Sequence, residues 1–278
     1  VFRIASITKT FTAVAVMQLV ERGLVDLDAP ANDYLRAFRL VPTDSDWRPA
    51  TVQHLLTHTA GLGELAHPDG MLRPDFGESW AADRPLPSLA EFYGGRLGVY
   101  AEPGARFVYN NHGPATLGQL VEDVTGVPLD RYFREQIFDP LEMADSDLLR
   151  SERVRSRLAT GYEIGSRGVK TVGERDMVTA GAASIYSTPN DMSRYLEALL
   201  GGGSNEHGSI LKPETLAAMF EPHHQPDVRL PDTSPGLAPR APRPPRRAAH
   251  GRVGQGLLPQ RVLREPSLRP LPCRSLQT

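Results

Sequence analysis

Ser6-Ile7-Thr8-Lys9 stands at the head of the run Phe11-Thr12-Ala13-Val14-Ala15-Val16-Met17-Gln18-Leu19-Val20. Apolar residues Ile7, Phe11, Val14 and Leu19-Val20 recur at roughly helical spacing, and Gly23 follows as a stop signal. The pattern predicts a buried helix with Ser6 at or near its first turn. A separation of three then puts Ser6 and Lys9 on one helix face, a turn apart. A serine hydroxyl is a poor nucleophile until a base takes its proton. A lysine amine serves as that base only where burial and the positive helix N-terminus lower its pKa. The plainer alternative is an N-cap serine and a solvated first-turn lysine. A second S-x-x-K, Ser209-Ile210-Leu211-Lys212, precedes Pro213 and has no long apolar helix behind it.

Downstream of this helix, Leu24 to Pro30 reads as a turn into a short helix ending near Tyr34-Leu35. In Thr51-Val52-Gln53-His54-Leu55-Leu56-Thr57-His58-Thr59-Ala60-Gly61-Leu62, Thr51 is a cap and Leu55-Leu56 the buried face of a short helix. His54 and His58 are four apart, a spacing that suits a metal pair, but no third ligand follows and a structural or loop-bonding role is expected. Residues 64–87 read as a surface excursion, and Ser88-Leu89-Ala90-Glu91 opens another helix as a capping box. Pro103-Gly104 forces a turn, Phe107 and Tyr109 alternate like a short strand, and Asn110-Asn111 leads into a helix that Gly126 ends. Another helix runs from Leu129 to Ile137, and residues 151–180 look irregular. Thr188-Pro189 starts a helix that Gly201-Gly202-Gly203 stops, and Lys212-Pro213 starts a last one ending near Phe220.

The totals are those of an ordinary globular chain. The 278 residues are 40% hydrophobic and 23% charged, with a net charge of −2. That balance gives no reason to expect nucleic acid as a partner. Cys273 is the single cysteine, so no intrachain disulfide exists, and no apolar run reaches the length of a membrane span. The chain opens on Val1-Phe2-Arg3, which reads as a cut inside a larger domain.

The character changes near Gln225. Residues 226–278 hold ten arginines against Asp227, Asp232 and Glu265, a net of +7, which leaves −9 for residues 1–225. This stretch has no Phe, Tyr or Trp and is rich in proline, so it is expected to be a disordered tail. It suits a basic arm for nucleic acid or an acidic partner, but carries no aromatic stacking residue. The favoured reading is out-of-frame translation of a GC-rich gene, in keeping with three lysines against twenty-eight arginines in the whole chain.

Three segments together resemble one family. They are Ser6-Ile7-Thr8-Lys9 with Phe11-Thr12-Ala13, then Leu55-Leu56-Thr57-His58-Thr59-Ala60-Gly61-Leu62, then Pro103-Gly104 leading to Tyr109-Asn110-Asn111. Their order and separation resemble the penicillin-recognising serine hydrolases: class C-type beta-lactamases, D-alanyl-D-alanine carboxypeptidases, and related esterases and D-aminopeptidases. The Gly181–Asp191 segment resembles them too, and the likeness covers roughly residues 1–220.

The resemblance implies an α/β (α+β) fold, a helical lobe over about residues 24–175 beside an antiparallel-sheet lobe that is incomplete in this chain. The hydrolase domain would be residues 1–225 and the tail 226–278. Ser6 would be the acylated nucleophile, Lys9 would help deprotonate it, and Tyr109 would be the general base or its proton partner. Asn111 would bind the substrate amide or orient Lys9. A tyrosinate near neutral pH needs adjacent positive charge to come down from a pKa of about 10, and Lys9 is the obvious cation. The plainer alternatives are a strand-end aromatic packed on the core for Tyr109 and a helix cap for Asn111.

The implied reaction passes through an acyl-enzyme on an amide, beta-lactam or ester carbonyl of a small-molecule or peptide substrate. It needs no metal and no organic cofactor. Family members are often periplasmic or secreted, which leaves the compartment and the oligomeric state open. The family's third motif, His-x-Gly or Lys-Thr-Gly, is not found; His250-Gly251-Arg252 is the nearest approach. A catalytically inactive member with a binding role is therefore the alternative. The strands that would cover the Ser6 helix are also missing, so its apolar face is expected to lack a partner.

Overall fold

The computed structural model describes residues 1–66, 68–82, 84–166 and 168–223, so the arginine-rich stretch lies outside the described residues. Helix α1 runs Thr8–Glu21, and Ser6 sits in the 3-10 turn Ala5–Ile7 just before it. Helix α2 (Val52–Leu56) opens with reciprocal capping bonds between Thr51 and His54, and α3 (Leu89–Phe92) with the same arrangement between Ser88 and Glu91. Helix α4 (His112–Thr125) ends at Gly126, whose φ of 71° is a left-handed C-cap. Helix α5 (Leu129–Phe133) runs on into a π-turn over Arg134–Phe138. The remaining helices are α6 (Glu152–Arg155), α7 (Ala180–Ala183), α8 (Pro189–Leu200, capped by Thr188) and α9 (Pro213–Phe220).

Among the described residues the strands form four two-stranded sheets. Strand β1 (Phe2–Arg3) pairs antiparallel with β8 (Tyr186–Ser187), and β2 (Arg39–Pro42) pairs parallel with β4 (Arg96–Val99). Strand β3 (Ser79–Ala81) pairs antiparallel with β7 (Arg175–Met177), and β5 (Gly161–Gly165) with β6 (Gly168–Val172). The β1–β8 pair brings Arg3 opposite Tyr186 and so ties the lead-in of α1 to the segment that follows α7.

Helix α1 is buried all round: Phe11, Val14, Ala15, Val16 and Leu19 have no exposed surface. A helix apolar on every side must be covered on every side. The expectation that its apolar face lacks a partner is therefore corrected: among the described residues helices cover it, with α4, α5 and α7 packed against it. Phe11 is the centre of this packing. Its ring stacks on Tyr195 of α8 at 3.9 Å and meets the edge of Phe138 at 5.7 Å.

Other local expectations are also corrected. Residues 161–177 are not irregular but hold β5, β6 and β7. Their outward side chains, including Ile164 and Val169, give no buried face for a period-two pattern to reveal. Phe107 and Tyr109 lie in a loop rather than a strand, because their backbone pairs with no neighbouring ladder. The short helix expected before Tyr34-Leu35 is a 3-10 turn, Ala31–Asp33. The excursion at 64–87 returns inward at Glu78, which is 2% exposed.

Phe11→Ala would leave a large void at the centre of the helical packing. The expected cost is about 3–5 kcal/mol, read as a lowered urea midpoint at unchanged slope.

Candidate active site

The lead-in to α1 is anchored by hydrogen bonds to a segment far along the chain. Ile4 N–H donates to Ile185 C=O at 2.9 Å, extending the β1–β8 pair. Ile185 N–H donates to Thr8 Oγ1 at 3.1 Å. Between these anchors Ala5 takes φ +46°, a left-handed conformation for a residue with a side chain, at a cost of about 1–2 kcal/mol. The turn leaves Ser6 exposed at the end of a buried helix.

Lys9, one turn further on, donates three hydrogen bonds. They go to Ser6 Oγ at 3.2 Å, to Asn111 Oδ1 at 2.8 Å and to Ala182 C=O at 3.2 Å. An ammonium has three donors, so this is a full set. Tyr109 O–H donates to Ser6 Oγ at 2.8 Å, and Lys9 Nζ lies 4.8 Å from the centre of the Tyr109 ring. The structure thus brings Ser6, Lys9, Tyr109 and Asn111 into one hydrogen-bonded group. By contrast, Ser209 Oγ bonds to Gly203 C=O and Leu211 C=O, so the second S-x-x-K forms no such pair.

The loop that carries Tyr109 is clamped by residues 57–61. Val108 N–H donates to His58 C=O at 2.9 Å, and Gly104 N–H to Thr59 C=O at 2.8 Å. Gly61, at φ +73°, lets the two segments close: a Cβ there would lie 2.0 Å from Ala101 C=O. His58 Nδ1 accepts from Asn110 N–H at 3.4 Å, and its ring packs 4.8 Å from that of Tyr109. His54 Nδ1 accepts from Thr51 N–H at 3.1 Å. Both histidines therefore bond loops, and among the described residues no group of three His, Cys, Asp or Glu converges as a metal site.

Asn110, not Asn111, serves the start of α4, accepting from Gly113 N–H at 2.8 Å. Asn111 makes no side-chain cap. Its Nδ2 instead donates to Glu78 Oε2 at 3.0 Å. Thr179 Oγ1 donates to the same oxygen at 2.8 Å. Glu78 Oε1 lies 3.7 Å from His112 Nε2, and His112 Nδ1 is 3.1 Å from the Tyr93 hydroxyl. Glu78 and His112 are the residues that sequence reasoning missed. Neither belongs to a motif or a periodic face, and Glu78 sits in a stretch whose composition reads as surface.

The electrostatics differ from one side of Lys9 to the other. Burial pushes the Tyr109 phenol up, but the adjacent Lys9 ammonium and the Ser6 hydroxyl together outweigh it, and the phenol ends below its ordinary value. Burial, assisted by the Lys9 charge, holds His58 down to about 4, so its ring is neutral at pH 7. Deeper in, burial and the Glu78 charge keep the Tyr93 phenol well above its ordinary range and protonated. Beside Asn111 opens a cleft of about 440 Å³ lined by Arg3, Phe76, Glu174, Arg175 and Met177. Among the described residues no helix is long and apolar enough to cross a membrane.

The helices and small sheets around this group have the beta-lactamase/DD-peptidase-like fold. The chain belongs to the beta-lactamase family, whose model matches residues 1–252. This is a family of serine hydrolases and acyltransferases that act on amides, esters and beta-lactams. Monacolin J acid methylbutanoyltransferase of Aspergillus terreus is 31% identical over 256 residues, 81% of this chain and 57% of the relative. D-alanyl-D-alanine-carboxypeptidase/endopeptidase AmpH of Escherichia coli is 29% identical over 205 residues, 72% of this chain and 49% of the relative. The octameric penicillin-binding protein homologue from Pyrococcus abyssi superposes with a TM-score of 0.57 at 30% identity, over 78% of this chain and 48% of that one. The chain thus spans about half the length of the relatives it matches. The third motif, sought near His250, falls outside the described residues.

Lys9→Met keeps the length of the side chain and removes its charge and hydrogen bonds. A cation stabilises phenolate, so its loss raises the Tyr109 pKa. Ultraviolet difference titration, with Tyr109→Phe as the blank, is expected to show the midpoint move to higher pH; an unmoved midpoint would mean that Lys9 does not set it.

Proposed function

We propose that this chain is a serine hydrolase or acyltransferase that works through an acyl-enzyme on Ser6. The observation that carries this reading is the convergence on one hydroxyl: Lys9 Nζ at 3.2 Å and Tyr109 O–H at 2.8 Å from Ser6 Oγ. Tyr109, as the phenolate beside the Lys9 ammonium, takes the proton from Ser6 Oγ as that oxygen bonds to the carbonyl carbon. The tetrahedral intermediate carries the charge on the former carbonyl oxygen, near the N-terminal end of α1, where the helix dipole favours an anion. Collapse breaks the bond to the amine or alcohol, which leaves with the proton from Tyr109. Water, or a second alcohol, then repeats the sequence on the acyl group. Hydrolase and transferase differ only in that acceptor, which is why relatives of both kinds support one mechanism.

In this reading Asn111 orients Lys9, and the substrate is a small molecule or peptide with an amide, lactam or ester carbonyl. The catalytic domain is residues 1–225, with 226–278 a Pro/Arg-rich tail. A fluorophosphonate probe followed by peptide mass spectrometry tests the reading. Modification at Ser6 is expected, absent in Ser6→Ala. Lys9→Met and Tyr109→Phe are each expected to slow labelling by about 10²–10⁴-fold, the scale of a positioned base. Labelling that persists in Ser6→Ala would overturn the assignment.

A further inference from the structure

Lys9 can only donate, so the atom of Asn111 that faces it must be the carbonyl oxygen. Which way an amide points is decided by what lies on its other side. Here that is Glu78 Oε2, 3.0 Å from Asn111 Nδ2. Thr179 Oγ1 also donates to Oε2, and the Glu78 backbone C=O accepts from Val178 N–H at 2.9 Å. His112 Nε2 approaches Oε1 from α4, with Tyr93 behind it. Asn111 Nδ2 and Thr179 Oγ1 both donate to the carboxylate, and the His112 ring lies beside its other oxygen. Glu78 and His112 are 2% and 1% exposed. A carboxylate so deeply buried is costly unless it is paired, and packing alone gives no reason for one there.

From this geometry we propose that Glu78 is a positioning residue for the Ser6 reaction: it locks the Asn111 amide with its oxygen toward Lys9, and so holds Lys9 Nζ on Ser6 Oγ. A neutral amide at position 78 offers both a donor and an acceptor. Asn111 is then free to flip and turn its NH2 toward the ammonium, donor against donor. Lys9 would keep only Ser6 Oγ and Ala182 C=O as acceptors and would no longer be held in one place. The inference rests on the acyl-enzyme reading of Ser6.

The test uses the full chain and the variants Glu78→Gln, Asn111→Asp and the two combined. Its readouts are the rate of Ser6 labelling by fluorophosphonate, kcat and KM for hydrolysis of a p-nitrophenyl ester, and the melting temperature. Glu78→Gln is expected to lower kcat and the labelling rate by about 10–10²-fold, the scale of a small misplacement of a reacting group, with KM little changed. In the double variant the carboxylate introduced at position 111 accepts both from Lys9 Nζ and from the amide NH2 introduced at position 78. The double variant is therefore expected to be several-fold faster than Glu78→Gln alone. A purely structural role predicts the reverse, because the second substitution adds damage. Glu78→Gln at the wild-type rate, or a double variant no faster than Glu78→Gln, overturns the proposal. If Glu78→Gln shows no cooperative melting transition, Thr179→Val replaces it: slower labelling in a folded chain supports the lock, and an unchanged rate overturns it. A wild-type chain that does not label at Ser6 defeats the acyl-enzyme reading itself; a wild-type chain that labels no faster than Glu78→Gln defeats only the role of Glu78.

Discussion

The three hydrogen bonds of the Lys9 ammonium are the constraint on which the rest of the site depends. They join the head of α1, the entrance of α4 and the end of α7 at a single nitrogen. An ammonium withdrawn from water must find an acceptor for each proton or lose stability. The helices must therefore approach closely enough to supply them. Glycine makes that possible where α4 meets α7. A Cβ on Gly181 would lie 2.9 Å from Pro114 C=O, and one on Gly118 3.5 Å from Gly181 Cα. Because α7 sits that close, Ala182 C=O reaches Lys9 and Gly181 C=O receives the Thr12 hydroxyl at 2.6 Å.

Around this nitrogen the surroundings change over a short distance. On one side Tyr109 is 48% exposed and open to an incoming substrate. On the other, Asn111 leads to Glu78, His112 and Tyr93, all buried. His58 stands behind Tyr109 as a neutral ring, so the cation beside the phenol meets no competing charge from that side. A mobile nucleophile would gain little from such neighbours. Serine here is immobilised by the rigidity of a helix buried on every side and by the β1–β8 pair that pins its lead-in.

Local signals carried the helices. Thr51, Ser88 and Thr188 cap as their sequence context implies, and Gly126 closes α4. These are interactions between residues three or four apart, and three or four letters encode them. Where the sequence misled, longer contacts governed. Phe107 and Tyr109 alternate like a strand, yet residues 57–61 hold them as a loop. Strands β5 and β6 pair with both faces outward, so alternation had no buried side to mark. The cover of α1 is likewise non-local, since α4, α5 and α7 come from far along the chain.

The sequence by itself placed Lys9 one turn after Ser6 at the head of an apolar helix, a separation at which the two side chains can meet. It also set the helix starts after Thr51, Ser88 and Thr188, the stop at Gly126 and, through three ordered segments, the family. The tertiary structure alone decided that the phenol of Tyr109, 103 residues away, reaches Ser6, and that Glu78 rather than a cap occupies the far side of Asn111. Those contacts are made by backbone pairing and close helix approach between distant segments. No periodicity records them, because each depends on where the whole chain places two loops rather than on the residues within either one.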